Sequence, residues 1–169
     1  MFRIMGCVLI FISCSSLGFL KASSYKARTL ELESILEMIK LLDMEITYRR
    51  DSLAKAFEKV SYMKGCWFSE VLKACSAMMG ANTMEQSWQL ALEENMDKCP
   101  LKEKDIEVLR DFSMGLGKSD IKGQKNYLEP ARLRIEASLA EARAQEQSQS
   151  RMYRGLGIAA GVVIAVILI

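Results

Sequence analysis

Histidine is absent from this 169-residue chain, and with it the side chain most used for proton transfer near neutral pH and the commonest metal ligand. Proline occurs only twice, and few valines or threonines lie outside the two ends, which leaves little material for strands. The five cysteines, Cys7, Cys14, Cys66, Cys75 and Cys99, form no C-x-x-C pair. Their wide spacing reads as small buried hydrophobes rather than metal ligands or disulfide partners. Phosphate-loop, dinucleotide and nucleophile-elbow patterns are all missing. The net charge is only +2, with both signs mixed through the middle of the chain, so there is no basic stripe of the kind a nucleic-acid binder needs. These absences predict no catalytic residue, no cofactor, no metal, no small-molecule substrate and no nucleic acid.

What is present is helix-forming: Leu, Met, Ala, Glu and Lys dominate. Half of the residues are hydrophobic and 26% are charged, and the two kinds are segregated along the chain. Residues 4–20 carry no charge and would span about 26 Å as a helix. Residues 155–169, GLGIAAGVVIAVILI, are likewise uncharged and would span about 22 Å. Both are expected to be transmembrane helices, helped by local bilayer thinning and by Tyr153 and Arg154 at the interface. A cleaved signal peptide, or lipidation at Cys14, is the competing reading of the first. Gly157 and Gly161 form a G-x-x-x-G pair that would permit close helix packing in the membrane, and they also fit a simple run of small residues. Lys21, Lys26 and Arg28 after the first span, and Arg143, Arg151 and Arg154 before the second, orient the middle toward the cytoplasm. The expected organisation is residues 1–24 as the first span and its flank, 25–150 as a cytoplasmic bundle and 151–169 as the second span. Because both ends return to one bilayer face, an even number of antiparallel helices is expected.

Within the middle, Leu32, Ile35, Leu36, Ile39, Leu42 and Ile46 give the stripe of an amphipathic helix. Asp51 suits the N-cap of a second helix bearing Leu53, Ala56, Phe57 and Val60. A third runs from Cys66 to Met79, with Gly80 placed for a left-handed stop. Thr83 and Gln86 form a capping box before a fourth helix containing Trp88, Ala91 and Leu92. Pro100 suits the first turn of a fifth, with Ile106, Leu109 and Phe112 on its inner face and Gly115 and Gly117 closing it. Ser119 and Asp120 start a sixth, in which Pro130 predicts a kink or a broken start. Residues 141–151 read as a solvated helical stalk or a linker. Glu31, Glu33, Glu37 and Glu45 sit among basic neighbours at helical spacing, as solvated faces do. The fold class is thus an all-α antiparallel bundle of about six helices.

Three segments carry a resemblance. YKARTLELESILEMIKLLDMEITYRRDSLAKAF, with Glu45, Ile46, Tyr48, Leu53, Ala56 and Phe57 at the matching positions, is followed by LGKSDIKGQ and by the tail MYRGLGIAAGVV. In this order they resemble the stage III sporulation protein AB family of endospore-forming bacteria. Asp51-Ser52 departs from the family's Thr-Pro at the start of the second helix, a change that keeps a capping side chain. The resemblance implies a helical bundle like the cytoplasmic domains of type II secretion F proteins. It also implies a place in the mother-cell membrane around the forespore, as a platform subunit of a secretion-like channel joining the two compartments. Its expected partners are the lipid bilayer and other membrane subunits of that complex, with a motor ATPase among the candidates. A membrane-anchored regulator that binds a soluble partner is the alternative. Glu45, Arg49 and Arg50, beside the turn into the second helix, are the expected partner contacts, while Tyr48 fits either that surface or the core.

Overall fold

A computed structural model describes residues 2–49, 52–115 and 121–168, with side chains for 12–13, 16–47, 52–113, 128–153, 155–160 and 162–163. The described residues form helices α1 (Phe2–Met44), α2 (Leu53–Ser61), α3 (Trp67–Met78), α4 (Met84–Glu94), α5 (Glu103–Gly115) and α6 (Ile121–Leu168). A single π-helical turn, Glu45–Arg49, follows α1, and a 3-10 turn, Met96–Lys98, follows α4. The chain divides into two compact units: Met1–Thr29 with Ala140–Ile169, and Leu30–Leu139.

The all-helical expectation holds, but the two transmembrane helices do not. Among the described residues, no helix is long and apolar enough to cross a membrane. The uncharged runs have 17 and 15 residues, at or below the lower limit of the roughly 17–25 a span requires. They are the ends of helices of 43 and 48 residues that carry charge elsewhere. The placement as a two-span membrane protein with a cytoplasmic middle, which rested on those spans, falls with them.

In the first unit α1 and α6 lie antiparallel. Arg28 meets Gln145, Tyr25 stacks on Tyr153 at 6.0 Å between ring centroids, and Gly18 meets Gly157, so positions rise on one helix as they fall on the other. The contact is close because both residues are glycine: a methyl at Gly18 would stand 2.7 Å from the Tyr153 carbonyl oxygen and 3.1 Å from the Gly157 Cα. Arg28, read from sequence as a membrane-flanking charge, is buried and donates from Nη1 to Gln145 Oε1 at 3.0 Å. Gln145 Nε2 donates in turn to Glu141 Oε1 at 2.7 Å. The polar stretch 141–151 is therefore a helix with one packed face, including Ala142 and Ser150, rather than a stalk solvated all round. Long polar side chains hide such a face from composition, since their tips satisfy one another while small residues lie beneath.

In the second unit the stripe on α1 is the wall of the core, with Leu32, Ile35, Met38, Ile39 and Leu42 all essentially inaccessible. Helices α2 to α5 follow as a chain of neighbours packed in order. Trp88 is fully buried at their centre, with Phe57, Phe68 and Phe112 at 5.8, 6.0 and 5.2 Å between ring centroids. These are the separations of favourable tilted and edge-to-face pairs. The indole nitrogen donates to the Leu109 carbonyl at 2.7 Å, which removes the penalty of burying its N–H.

Several helix ends differ from expectation. Asp51 lies outside the described residues, and Ser52 holds the extended position before α2. Gly80 lacks the left-handed backbone expected of it. The α3 end closes instead through the Ala81 and Asn82 amides, both bonded to the Met78 carbonyl at 3.1 Å. The Thr83 capping box forms as read, with both reciprocal bonds present. Helix α5 begins at Glu103, three residues beyond Pro100, because the buried Asp105 carboxylate reaches back to accept from the Lys102 amide at 3.1 Å. It ends at Gly115, while Gly117, Ser119 and Asp120 lie outside the described residues. Helix α6 runs unbroken through Pro130.

Candidate partner-binding surface

The π-helical turn follows directly on the end of α1, and such turns frequently mark functional positions. It begins with Glu45, whose side chain is only 12% exposed and receives Lys59 Nζ at 2.8 Å on each carboxylate oxygen. Glu45 is thus tied to α2 rather than solvated. Arg49 closes the turn, with its side chain outside the described set, and Arg50 lies outside the described residues altogether. Of the two glycines read as a packing pair, Gly157 approaches Gly18 of the same chain. Gly161 lies within α6, with no side-chain surroundings described.

Just before the turn, the last residues of the α1 stripe and the neighbouring face of α6 enclose a groove of about 190 Å³. Ile39 and Leu128 form its buried floor and Met44, 56% exposed, its lip. Lys40, Asp43, Glu129 and Arg132 line its sides. Asp43 Oδ1 accepts from the Thr47 hydroxyl at 3.3 Å. Glu129 Oε1 accepts from Arg132 Nη2 at 2.7 Å. Arg132 Nε is buried and has no hydrogen-bond partner, and the Glu136 carboxylate lies 3.8 Å from it. Lys40 is exposed and makes no ion pair among the described residues. Sequence reasoning missed this groove, because its two sides are almost ninety positions apart and neither bears a motif.

The most telling correction concerns Glu31. Read as part of a solvated face, it is buried, and its two carboxylate oxygens accept from the Trp67 amide at 3.3 Å and the Phe68 amide at 2.9 Å. These are the first two amides of α3, which have no partner within their own helix. The negative charge also suits the positive end of that helix. Beside it, Cys66 occupies the N-cap position, its amide donating to Ser69 Oγ at 3.2 Å. Burial, and to a lesser degree the Glu31 charge, pushes the Cys66 thiol up, and burial does the same for Cys99. Cys75, fully enclosed, is pushed up to about 12 by burial alone. Such thiols are poor nucleophiles near neutral pH. Glu37 pairs with Lys64 at the surface. Among the described residues, no group of three or more Cys, Asp or Glu gathers in a way that could hold a metal ion. Among the described residues, the buried carboxylates Glu31 and Asp105 are thus engaged in terminating helices, and the buried Arg28 in joining two of them.

Comparison with known proteins places the chain. The family model described as stage III sporulation protein AB matches residues 3–169. Stage III sporulation protein AB of Bacillus subtilis (strain 168) is 26% identical over 170 residues, covering 99% of each chain. A solved structure of a stage III sporulation protein AB superimposes with a TM-score of 0.66 over 71% of this chain and 96% of its own, at 24% identity, a likeness of fold. None of these names is that of an enzyme. A protein of the sporulation programme, the chain belongs to the stage III sporulation protein AB family.

Proposed function

We propose that this chain is a non-enzymatic scaffold subunit of a sporulation-specific, secretion-like channel complex between mother cell and forespore, and that it works by holding other sporulation proteins in register. The observation that carries this reading is the use the fold makes of its buried polar side chains. Glu31 and Asp105 cap α3 and α5, the two indoles donate to the Leu109 and Asn95 carbonyls, and Arg28 bonds Gln145. Groups committed in this way stiffen a bundle, and stiffness is what a part that positions its neighbours requires. The turn containing Glu45 and Arg49, with Arg50 after it, belongs to the partner-facing surface in this reading.

The test is native purification of the tagged full chain from sporulating cells of an endospore-forming host that lacks its own family member. A scaffold restores spore formation and elutes in a large assembly with several other sporulation proteins. Restoration by a chain that elutes alone, or with a single client protein, would overturn the scaffold reading.

A further inference from the structure

The segment Arg49-Arg50-Asp51-Ser52-Leu53 leads into α2. Ser52 alone among the chain's serines has arginine at both the second and the third position before it, and an apolar residue follows it. Two guanidiniums so placed are what an acidic substrate groove of a protein kinase can hold by charge-assisted hydrogen bonds. The structure leaves the hydroxyl open to such an enzyme. Ser52 is exposed, its backbone is extended at φ −61° and ψ 146°, and its side chain makes no capping hydrogen bond to α2. Ser113 is the contrasting case: it too has an arginine three positions before it, Arg110, but it is buried and its hydroxyl donates to the Arg110 carbonyl at 2.9 Å.

A phosphate on Ser52 would carry about −1.5 to −2 charges at pH 7. Arg49, Arg50 and Lys55 surround that position in sequence, with Asp51 the one acid among residues 49–55. Lys55 is exposed and makes no ion pair among the described residues. The first amides of α2 have no acceptor within their own helix, and the unmodified Ser52 side chain does not supply one. Phosphate oxygens can, and their charge also suits the positive end of the helix.

We infer that Ser52 is a phosphorylation site for a serine kinase that selects arginine on the amino-terminal side of its target, and that the phosphate caps α2. In the transfer, Ser52 Oγ attacks the γ-phosphorus of ATP. The new Oγ–P bond forms as the bond from that phosphorus to the ADP oxygen breaks, ADP leaves, and the hydroxyl proton passes to the general base of the kinase. The inference goes beyond the scaffold reading and does not depend on it.

The experiment recovers the tagged full chain from sporulating cells in the presence of phosphatase inhibitors and maps its phosphate by mass spectrometry. Phosphate is expected on Ser52 and not on the buried Ser113. Ser52→Ala should abolish it, and because the Ser52 hydroxyl makes no capping bond, this variant should keep the helical ellipticity of the unsubstituted chain. Arg49→Ala combined with Arg50→Ala should lower occupancy at Ser52 by about tenfold or more, as loss of hydrogen bonds from charged groups does. The phosphorylated chain should unfold at a higher urea concentration than the same preparation after phosphatase treatment. Absence of phosphate from Ser52, its presence on Ser113 instead, or undiminished occupancy in the double arginine variant would overturn the site. A phosphorylated chain whose urea midpoint is unchanged or lower would overturn the capping of α2.

Discussion

Glu31 and Phe68 are 37 positions apart in sequence, yet a Glu31 carboxylate oxygen lies 2.9 Å from the Phe68 amide nitrogen. A side chain in the middle of α1 thereby completes the first turn of α3, and fixes where α3 starts relative to the α1 stripe.

Removing that carboxylate leaves two buried amides without an acceptor. Glu31→Ala should destabilise the chain by about 1–3 kcal/mol. Glu31→Gln, which retains one amide oxygen but no charge, should cost less. Urea denaturation followed by circular dichroism checks both; equal midpoints for Glu31→Ala and the unsubstituted chain would refute the capping role.

Trp88 combines three aromatic contacts with a hydrogen bond to the Leu109 carbonyl. Trp88→Ala should cost about 3–5 kcal/mol, as large-to-small changes in a core do. Trp88→Phe keeps the ring, loses the donor and some volume, and should cost about 1–2 kcal/mol. Thermal unfolding of the pair separates packing from hydrogen bonding, and a Phe variant as unstable as the Ala variant would contradict this division.

At Gly18 a methyl would press on the Tyr153 carbonyl and the Gly157 Cα. Backbone cannot move aside as a flexible side chain does, so Gly18→Ala should loosen the α1–α6 pair, and Gly18→Leu should separate it. Arg28→Cys with Gln145→Cys provides the measurement: oxidative crosslinking of these two positions should fall in the order Gly, Ala, Leu at residue 18. An unchanged yield for Leu would remove the close approach from the account.

The Cys75 thiol is raised by burial from 9.0 to about 12. Between those values the unfolded chain has released a proton that the folded chain retains. The folded state binds more protons there, so stability falls as pH rises, and below 9 the contribution is flat. Cys75→Ala should therefore show a shallower loss of melting temperature between about pH 8 and pH 10.5 than the unsubstituted chain. Identical slopes would show that Cys75 is not the group responsible.

The parts of the fold that were legible in the sequence are those whose signals are local. The 3.6-residue stripe from Leu32 to Leu42, the Thr83–Gln86 box and the burial of Trp88 depend on neighbours a few positions away. Glu31 was misread for the converse reason: its local pattern of charged neighbours is that of a solvated helix face, while its partners are backbone amides that no side-chain pattern encodes. Pro100 misled in a similar way, since proline permits a helix start but the Asp105 carboxylate holds the Lys102 amide, and the helix starts at Glu103. The apolar ends were read by length and lack of charge alone, two features that residues 4–20 and 155–169 satisfy only at the margin for a bilayer. Of the candidate site, the sequence placed a turn at the Arg49–Asp51 junction but carried the regular stripe through Ile46, so the π-helical turn at Glu45–Arg49 was not legible in it. The groove next to it was not legible either, because Lys40 and Arg132 come together only through the packing of α6.

Both tryptophans of the chain, Trp67 and Trp88, lie in the Leu30–Leu139 unit, while the stacked pair Tyr25 and Tyr153 lies in the other. Indole fluorescence is therefore a gauge of one unit alone, blind to the fate of the helix pair formed by the two ends of the chain. Far-ultraviolet ellipticity, which sums over every helix, sees both. A melt in which the two signals part company would reveal that the units come undone at different temperatures, and no single midpoint would then describe the chain.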